Sequence, residues 1–221
     1  MLSRYHRQIT LKALEMEFNA NALDVIITAN LGQDRLTGLI GHPEYHFDDS
    51  QFSAGQAYVD SQHLAVRQNL AKDEQPVLAW QAFGRLSHAV QDYYAHSNYV
   101  ALWLQQHTNH LQSQGLDASY DRIEPLDPLI LDSSELCSAR IYYPWDALSF
   151  IPVLEPIMLR LLPSDSHTCM NLDRPERGPL FPYAMEAARK RTQVEFQRII
   201  NEMPSEYVDR FTGRTHGKLA S

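Results

Sequence analysis

An all-α, multi-helix bundle with long ligand-bearing loops is the architecture this sequence predicts, and three observations predict it. The segment from Val77 to about Leu111 holds no proline and carries apolar residues on most of its faces. Residues 6–31 and the stretch from Pro182 to about Met203 repeat the apolar spacing of a helix. Glycine, proline and polar clusters gather between these segments, in connections longer than a helix pair needs. A chain of 221 residues suits a single helical domain, 1–221, with a real core.

The first helix places Ile9, Ala13, Leu14, Phe18, Leu23, Ile26 and Ile27 on roughly helical spacing, and Asn19, Asn21 or Asn30 marks a break or cap. Residues 37–53, with Gly38, Gly41 and Pro43, read as a loop. Ser53 is the expected N-cap of a helix to Ala71. Asp73-Glu74-Gln75-Pro76 then punctuates the chain, Pro76 fitting the first turn of the long central helix. Residues 126–143 offer a short strand or hairpin, and an apolar helix over about 145–162 ends at Pro163. The stretch 164–180 reads as a polar loop, and the tail 212–221 as frayed.

Composition bounds the function. A net charge of −8 argues against binding a phosphate backbone by bulk electrostatics. It leaves a phosphoester substrate open, because buried zinc ions add local positive charge. No run reaches the roughly 18–20 apolar residues of a transmembrane helix. No signal peptide is visible at the start, so the expected location is the cytoplasm unless a targeting segment has been trimmed. Cys137 and Cys169 read as free thiols rather than a disulfide framework.

Gly84-Arg85-Leu86-Ser87-His88-Ala89-Val90-Gln91-Asp92-Tyr93-Tyr94-Ala95-His96 carries the chemistry. His88, Asp92 and His96 stand at i, i+4 and i+8, on one drifting face of a largely apolar helix. A buried carboxylate needs a partner, and two flanking imidazoles make a metal cation a natural one. His88 and His96 are about 12 Å apart along the axis, too far for one zinc, so two or more ions with Asp92 between them fit better. The competing reading is a hydrogen-bonded polar seam in which Arg85 pairs with Asp92. Further candidates are His6, Asp34, His46 between acidic neighbours, and the loop from His167 to Asp173. His42, His63, His107, His110 and His216 receive no role, His63 because its neighbours Gln62, Arg67 and Gln68 describe a wet face.

The block Gly84 to His88, followed by Asp92 and His96-Ser97-Asn98-Tyr99, resembles the signature of Het-C-like heterokaryon-incompatibility proteins. These are similar to the zinc-dependent phospholipase C and single-strand nuclease superfamily. The resemblance implies a helical phospholipase C-like fold and a two- or three-zinc centre. It assigns His88, Asp92, His46 and Asp34 (in preference to Asp24) to one ion. A second ion shares Asp92 and takes His6, and a third takes His96, His167 and Asp173. The chain departs from the pattern in its four-residue Asp92–His96 spacing, in His167 lying in a loop, and in the residues preceding His6. The implied activity is phosphoester hydrolysis by zinc-activated water. Asp92 would be shared by the ions, Asp48 or Asp49 would serve as base or orienter, and Arg85 would contact phosphate. A phospholipid is the favoured substrate over nucleic acid, with Tyr142, Tyr143, Trp145 and Phe150 as an apolar rim. The alternatives are a non-catalytic zinc-stabilised helical effector or interaction protein, and a metal-free bundle.

Overall fold

Helix α1 (Ser3–Leu14) and helix α2 (Ala20–Leu31) replace the single expected run over 6–31. The cause is Asn19, whose side-chain oxygen accepts the Ala22 N–H at 2.8 Å and caps α2. In this computed structural model the described residues are 1–35, 41–72, 76–114, 118–149 and 151–214. The expectations for Gly38, Asp73-Glu74-Gln75, Phe150 and residues 215–221 therefore lie outside the described residues.

Helix α3 (Phe52–Ala71) is the expected one, but its cap position is Gln51 and not Ser53, which lies inside its first turn. Helix α4 (Pro76–His96) is the axis of the bundle and packs against α2, α3 and helix α10 (Phe181–Glu202). Nearly every side chain of α4 from Ala79 to His96 is buried, so its polar stripe is an interior seam. Gly84 permits a close approach of α2 to α4. A Cβ there would fall inside contact distance of the Ile26 carbonyl oxygen and the Ala29 side chain.

The central helix does not continue to Leu111. It stops at His96 and resumes as α5 (Tyr99–Ser113). The segment 135–139 supplies the reason. Asn98 donates its N–H to the Cys137 carbonyl at 3.0 Å, accepts the Cys137 N–H on its side chain at 2.9 Å, and donates its amide to Glu135 O at 2.8 Å. Ala139 N–H donates to the carbonyl of His96 at 2.8 Å, taking an acceptor that a continuing helix would use.

The hairpin expected within 126–143 is absent. A short helix α6 (Pro128–Leu131) lies there, and the pairing amounts to two isolated bridges, Ser97 with Ser138 and Arg140 with Ser166. The apolar helix expected over 145–162 is two short ones, α7 (Trp145–Leu148) and α8 (Glu155–Leu161). His167 opens a one-turn helix, α9 (His167–Met170), rather than sitting in plain loop. Helix α11 (Ser205–Thr212) closes the described chain. Thr212 is buried, and the Arg214 guanidinium donates to the carbonyls of Glu15 and Phe18 at 2.9 and 2.8 Å, so the tail is held through 214. The molecule is an all-α, multi-helix bundle without a strand among the described residues. Phospholipase C-likeness is not part of what this architecture shows.

Candidate metal centre

Five segments converge at the C-terminal half of α4. Helix α1 brings His6, the 3-10 turn Gly32–Asp34 brings Asp34, and the loop before α3 brings His46 and Asp48. Helix α4 supplies His88, Asp92 and His96, while α9 and the residues after it supply His167 and Asp173. Every predicted ligand thus reaches one region, and Asp48, expected as a base or orienter, lies there with them. All are buried except Asp34, His167 and Asp173, which are partly exposed.

Asp92 is the hub. Its Oδ2 lies 2.8 Å from His46 Nδ1 and 3.0 Å from His88 Nε2. Its Oδ1 lies 3.1 Å from His6 Nε2 and 3.8 Å from His96 Nε2. His88 Nε2 is also 3.1 Å from His46 Nδ1 and 3.5 Å from Asp34 Oδ1. On the far side, His96 Nδ1 is 3.1 Å from Asp48 Oδ1, and His96 Nε2 is 3.3 Å from His167 Nε2 and 3.4 Å from Asp173 Oδ1. The potential ligand atoms fall into two groups, His6–Asp34–His88–Asp92 and Asp48–His96–His167, each with its atoms within 4.8 Å of one another. Ligand atoms on a tetrahedral zinc with bonds of 2.0–2.1 Å lie about 3.3–3.4 Å apart. The spacings match that scale. The Met1 amino group lies in the same region, 2.6 Å from Asp92 Oδ1 and 3.0 Å from Asp173 Oδ1.

Gln91 fixes the proton of His6. Its Oε1 accepts from Asn30 Nδ2 at 3.2 Å, and its Nε2 donates to Thr10 Oγ1 at 3.1 Å and Thr192 Oγ1 at 3.2 Å. With the amide oriented in this way, the 2.7 Å contact between His6 Nδ1 and Gln91 Oε1 requires Nδ1 to carry the proton. His6 Nε2 is buried and makes no hydrogen bond, although Asp92 Oδ1 is 3.1 Å away. A buried ring nitrogen without a hydrogen bond beside a carboxylate oxygen is a position where both can share a cation. This is the donor arrangement of a metal-binding histidine held by an outer partner.

The electrostatics agree with two unlike halves. Burial pushes the His88 imidazole down to about 4, and Asp92 only partly offsets it, so this ring is neutral as a ligand must be. Burial also lowers His167, with His96 adding to the effect. For His96 burial pulls in the same direction, but the carboxylates of Asp92 and Asp48 outweigh it and raise the ring to about 10, so an ion binding there must displace its proton. Burial alone would raise Asp92. The Met1 amino group and the surrounding histidines reverse this and hold the carboxyl well below its usual range.

The loop carrying His46 and Asp48 is strained and clamped. Phe47, Asp49 and Ser50 have φ of 56°, 56° and 54°, in the left-handed region that non-glycine residues avoid. Asp49 N–H donates to Ala139 O at 2.7 Å, and Asp49 Oδ1 accepts the Ile141 N–H at 3.2 Å. Ser50 N–H donates to Ser138 Oγ at 2.8 Å, and Ser138 N–H returns a bond to Ser50 Oγ at 3.0 Å. Asp49 is therefore a loop fastener. Asp48 turns inward to His96.

Arg85 does not reach the centre. Its Nε donates to Gln62 Oε1 at 2.9 Å, so neither a phosphate contact nor a pair with Asp92 describes it. Asp24 is exposed and lies apart. His63 is not on a wet face. It is buried, with Nε2 2.6 Å from Glu195 Oε2, and Glu195 Oε1 accepts from Arg191 Nε at 2.5 Å. The signal for this tie was Arg191 and Glu195 at i, i+4, beside the apolar Phe196 and Ile199. The partner of Gln91 had no such signal, because Thr10, Asn30 and Thr192 are remote in sequence.

Comparison with known proteins corrects the family expectation. The model of the VWA7 N-terminal domain family matches residues 6–123, more than half of the chain. The protein is similar to von Willebrand factor A domain-containing protein 7 of Homo sapiens, 33% identical over 121 residues, which is 54% of this chain and 13% of the relative. The Rattus norvegicus protein of the same name is 36% identical over 92 residues, 41% of this chain and 10% of the relative. The chain thus spans about a tenth to an eighth of the length of these relatives. No solved structure matches it. The Het-C-like resemblance is overturned by these matches. With it falls the reading of a phospholipase C-like zinc phosphoester hydrolase acting on phospholipid, since the similarity lies with a domain family to which that activity does not attach. Among the described residues no helix is long and apolar enough to cross a membrane.

Proposed function

We propose, for a chain that belongs to the VWA7 N-terminal domain family, a metal-organised helical module in which two divalent ions tie four segments to the central helix. His6, Asp34, His46, His88 and Asp92 hold the first ion, and Asp48, His96, His167 and Asp173 the second. Imidazole and carboxylate donors at these spacings select zinc. The observation that carries the reading is the buried His6 Nε2, which makes no hydrogen bond 3.1 Å from Asp92 Oδ1 while Gln91 holds its Nδ1. A bound cation supplies the positive charge that lets several buried carboxylates and neutral imidazoles share one interior.

The role is architectural. Apart from α1, the contributing segments are short turns and loops, and the donors fasten them to α4 next to the point where that helix is interrupted. The test is zinc content of the purified protein by elemental mass spectrometry, before and after reloading, for wild type, His6→Gln and Asp92→Asn. Two zinc ions per chain in wild type, with loss in both variants and a lower melting temperature in chelator, is the expected result. No zinc after reloading, with a melting temperature indifferent to chelator and zinc, overturns the proposal.

A further inference from the structure

A second site lies on another face of α4, away from the histidine stripe. It is an open-sided pocket of about 540 Å³ lined by α3, α4, α10 and the residues around α6, within the range of small-molecule pockets. Phe47, Phe52, Val90, Tyr93, Leu131 and Leu136 form apolar walls. The aromatic walls are braced, with the Phe47 and Phe52 rings 5.2 and 5.7 Å from the Tyr93 ring.

One buried cation reaches this apolar space. Arg191 is 9% exposed and lines the cavity; its Nε is committed to Glu195 and its guanidinium also bonds Tyr94, which leaves others of its five N–H groups as donors. Glu195 is shared, because His63 holds its other oxygen at 2.6 Å. The Asp60 carboxylate at the rim is engaged by Arg198 at 3.1 Å and by the Gln56 amide at 3.1 Å. A guanidinium has donors and no acceptor, so the polar end of an occupant must be an acceptor. Most of the wall is apolar, with Ser53, Gln56 and Asp60 also lining it and the buried Tyr93 hydroxyl unbonded, so a largely aliphatic body fits it.

We infer that this cavity binds a small aliphatic carboxylate, its chain against Phe47, Phe52 and Tyr93 and its carboxylate on Arg191. The inference does not rest on the metal reading, since none of the ion-holding residues lines the cavity.

The probe is decanoate, titrated calorimetrically into the full chain, with decanol and decylamine as controls. Expected is saturable one-to-one binding of decanoate, about tenfold tighter than decanol, as suits a charge-assisted hydrogen bond. Ala57→Trp fills the cavity from an exposed position on its wall and abolishes binding. Arg191→Gln, checked for folding by circular dichroism, removes the preference for decanoate. No saturable binding to folded wild type overturns the inference. So does binding unchanged in Ala57→Trp, or equal affinity for decanol and decanoate. Zinc content is unaffected by either variant, which separates this result from the fate of the metal proposal.

Discussion

Gln91 decides what His6 can do. It neither faces the metal region nor carries charge, yet its side chain engages His6, Asn30, Thr10 and Thr192 together. Gln91→Leu removes the acceptor for His6 Nδ1 and frees the ring to adopt the other tautomer. The expected outcome is a loss of zinc affinity of about 10–100-fold, the usual cost of removing an outer partner of a ligating histidine. Competition with a chromogenic chelator measures it. Unchanged affinity would show that the tautomer is set elsewhere. A conservative Gln91→Glu keeps the acceptor and is expected to retain most of the affinity.

Two element-scale contacts carry the bundle. The first is the α2–α4 crossing at Gly84, where a methyl group meets backbone rather than a movable side chain. Gly84→Ala is expected to lower stability by about 1–3 kcal/mol through overpacking, measured by urea denaturation. The second is the buried tie between α3 and α10. Burial alone would raise the Glu195 carboxyl, but the His63 hydrogen bond and the Arg191 guanidinium outweigh it and hold it below its ordinary value. A depressed carboxyl contributes stability above its unfolded pKa, about 4.3, and loses it as pH falls through the folded value. Wild type is therefore expected to lose stability between pH 5 and acid partly through this group. Glu195→Gln is expected to cost about 3–5 kcal/mol at pH 7 by leaving Arg191 buried without its carboxylate, and to flatten that acid loss. Urea titrations at pH 7 and pH 4 test both parts.

For the whole molecule, the proposed metal would link folding of remote segments. Residues from His6 to Asp173 meet in one region, so a ligand that binds only the folded chain stabilises all of it together. At free zinc a thousand times the dissociation constant, the gain is about 4 kcal/mol. Chelator is expected to lower the melting temperature and to increase hydrogen exchange first in the loop 46–50 and in 166–173. Uniform exchange across the chain, with no change in these segments, would contradict the architectural role.

Several features were legible in the sequence. The i, i+4, i+8 stripe in an apolar helix requires an interior polar seam, and helical periodicity required an all-α bundle. Local rules did not place Asn98, because its helix break is made by hydrogen bonds from residues 135–139, and propensity does not report a contact forty positions away. They misplaced His63, since polar sequence neighbours describe a surface only if no other helix covers them, and α10 does. They offered Arg85 as a phosphate contact, whereas α3 presents Gln62 to it. The sequence alone determined which residues could serve as donors, because side-chain chemistry and helical phase are local. The tertiary structure alone decided how His6, Asp34, His46, Asp48, His167 and Asp173 divide around α4, and which proton His6 keeps. Both depend on distances between segments, which packing sets.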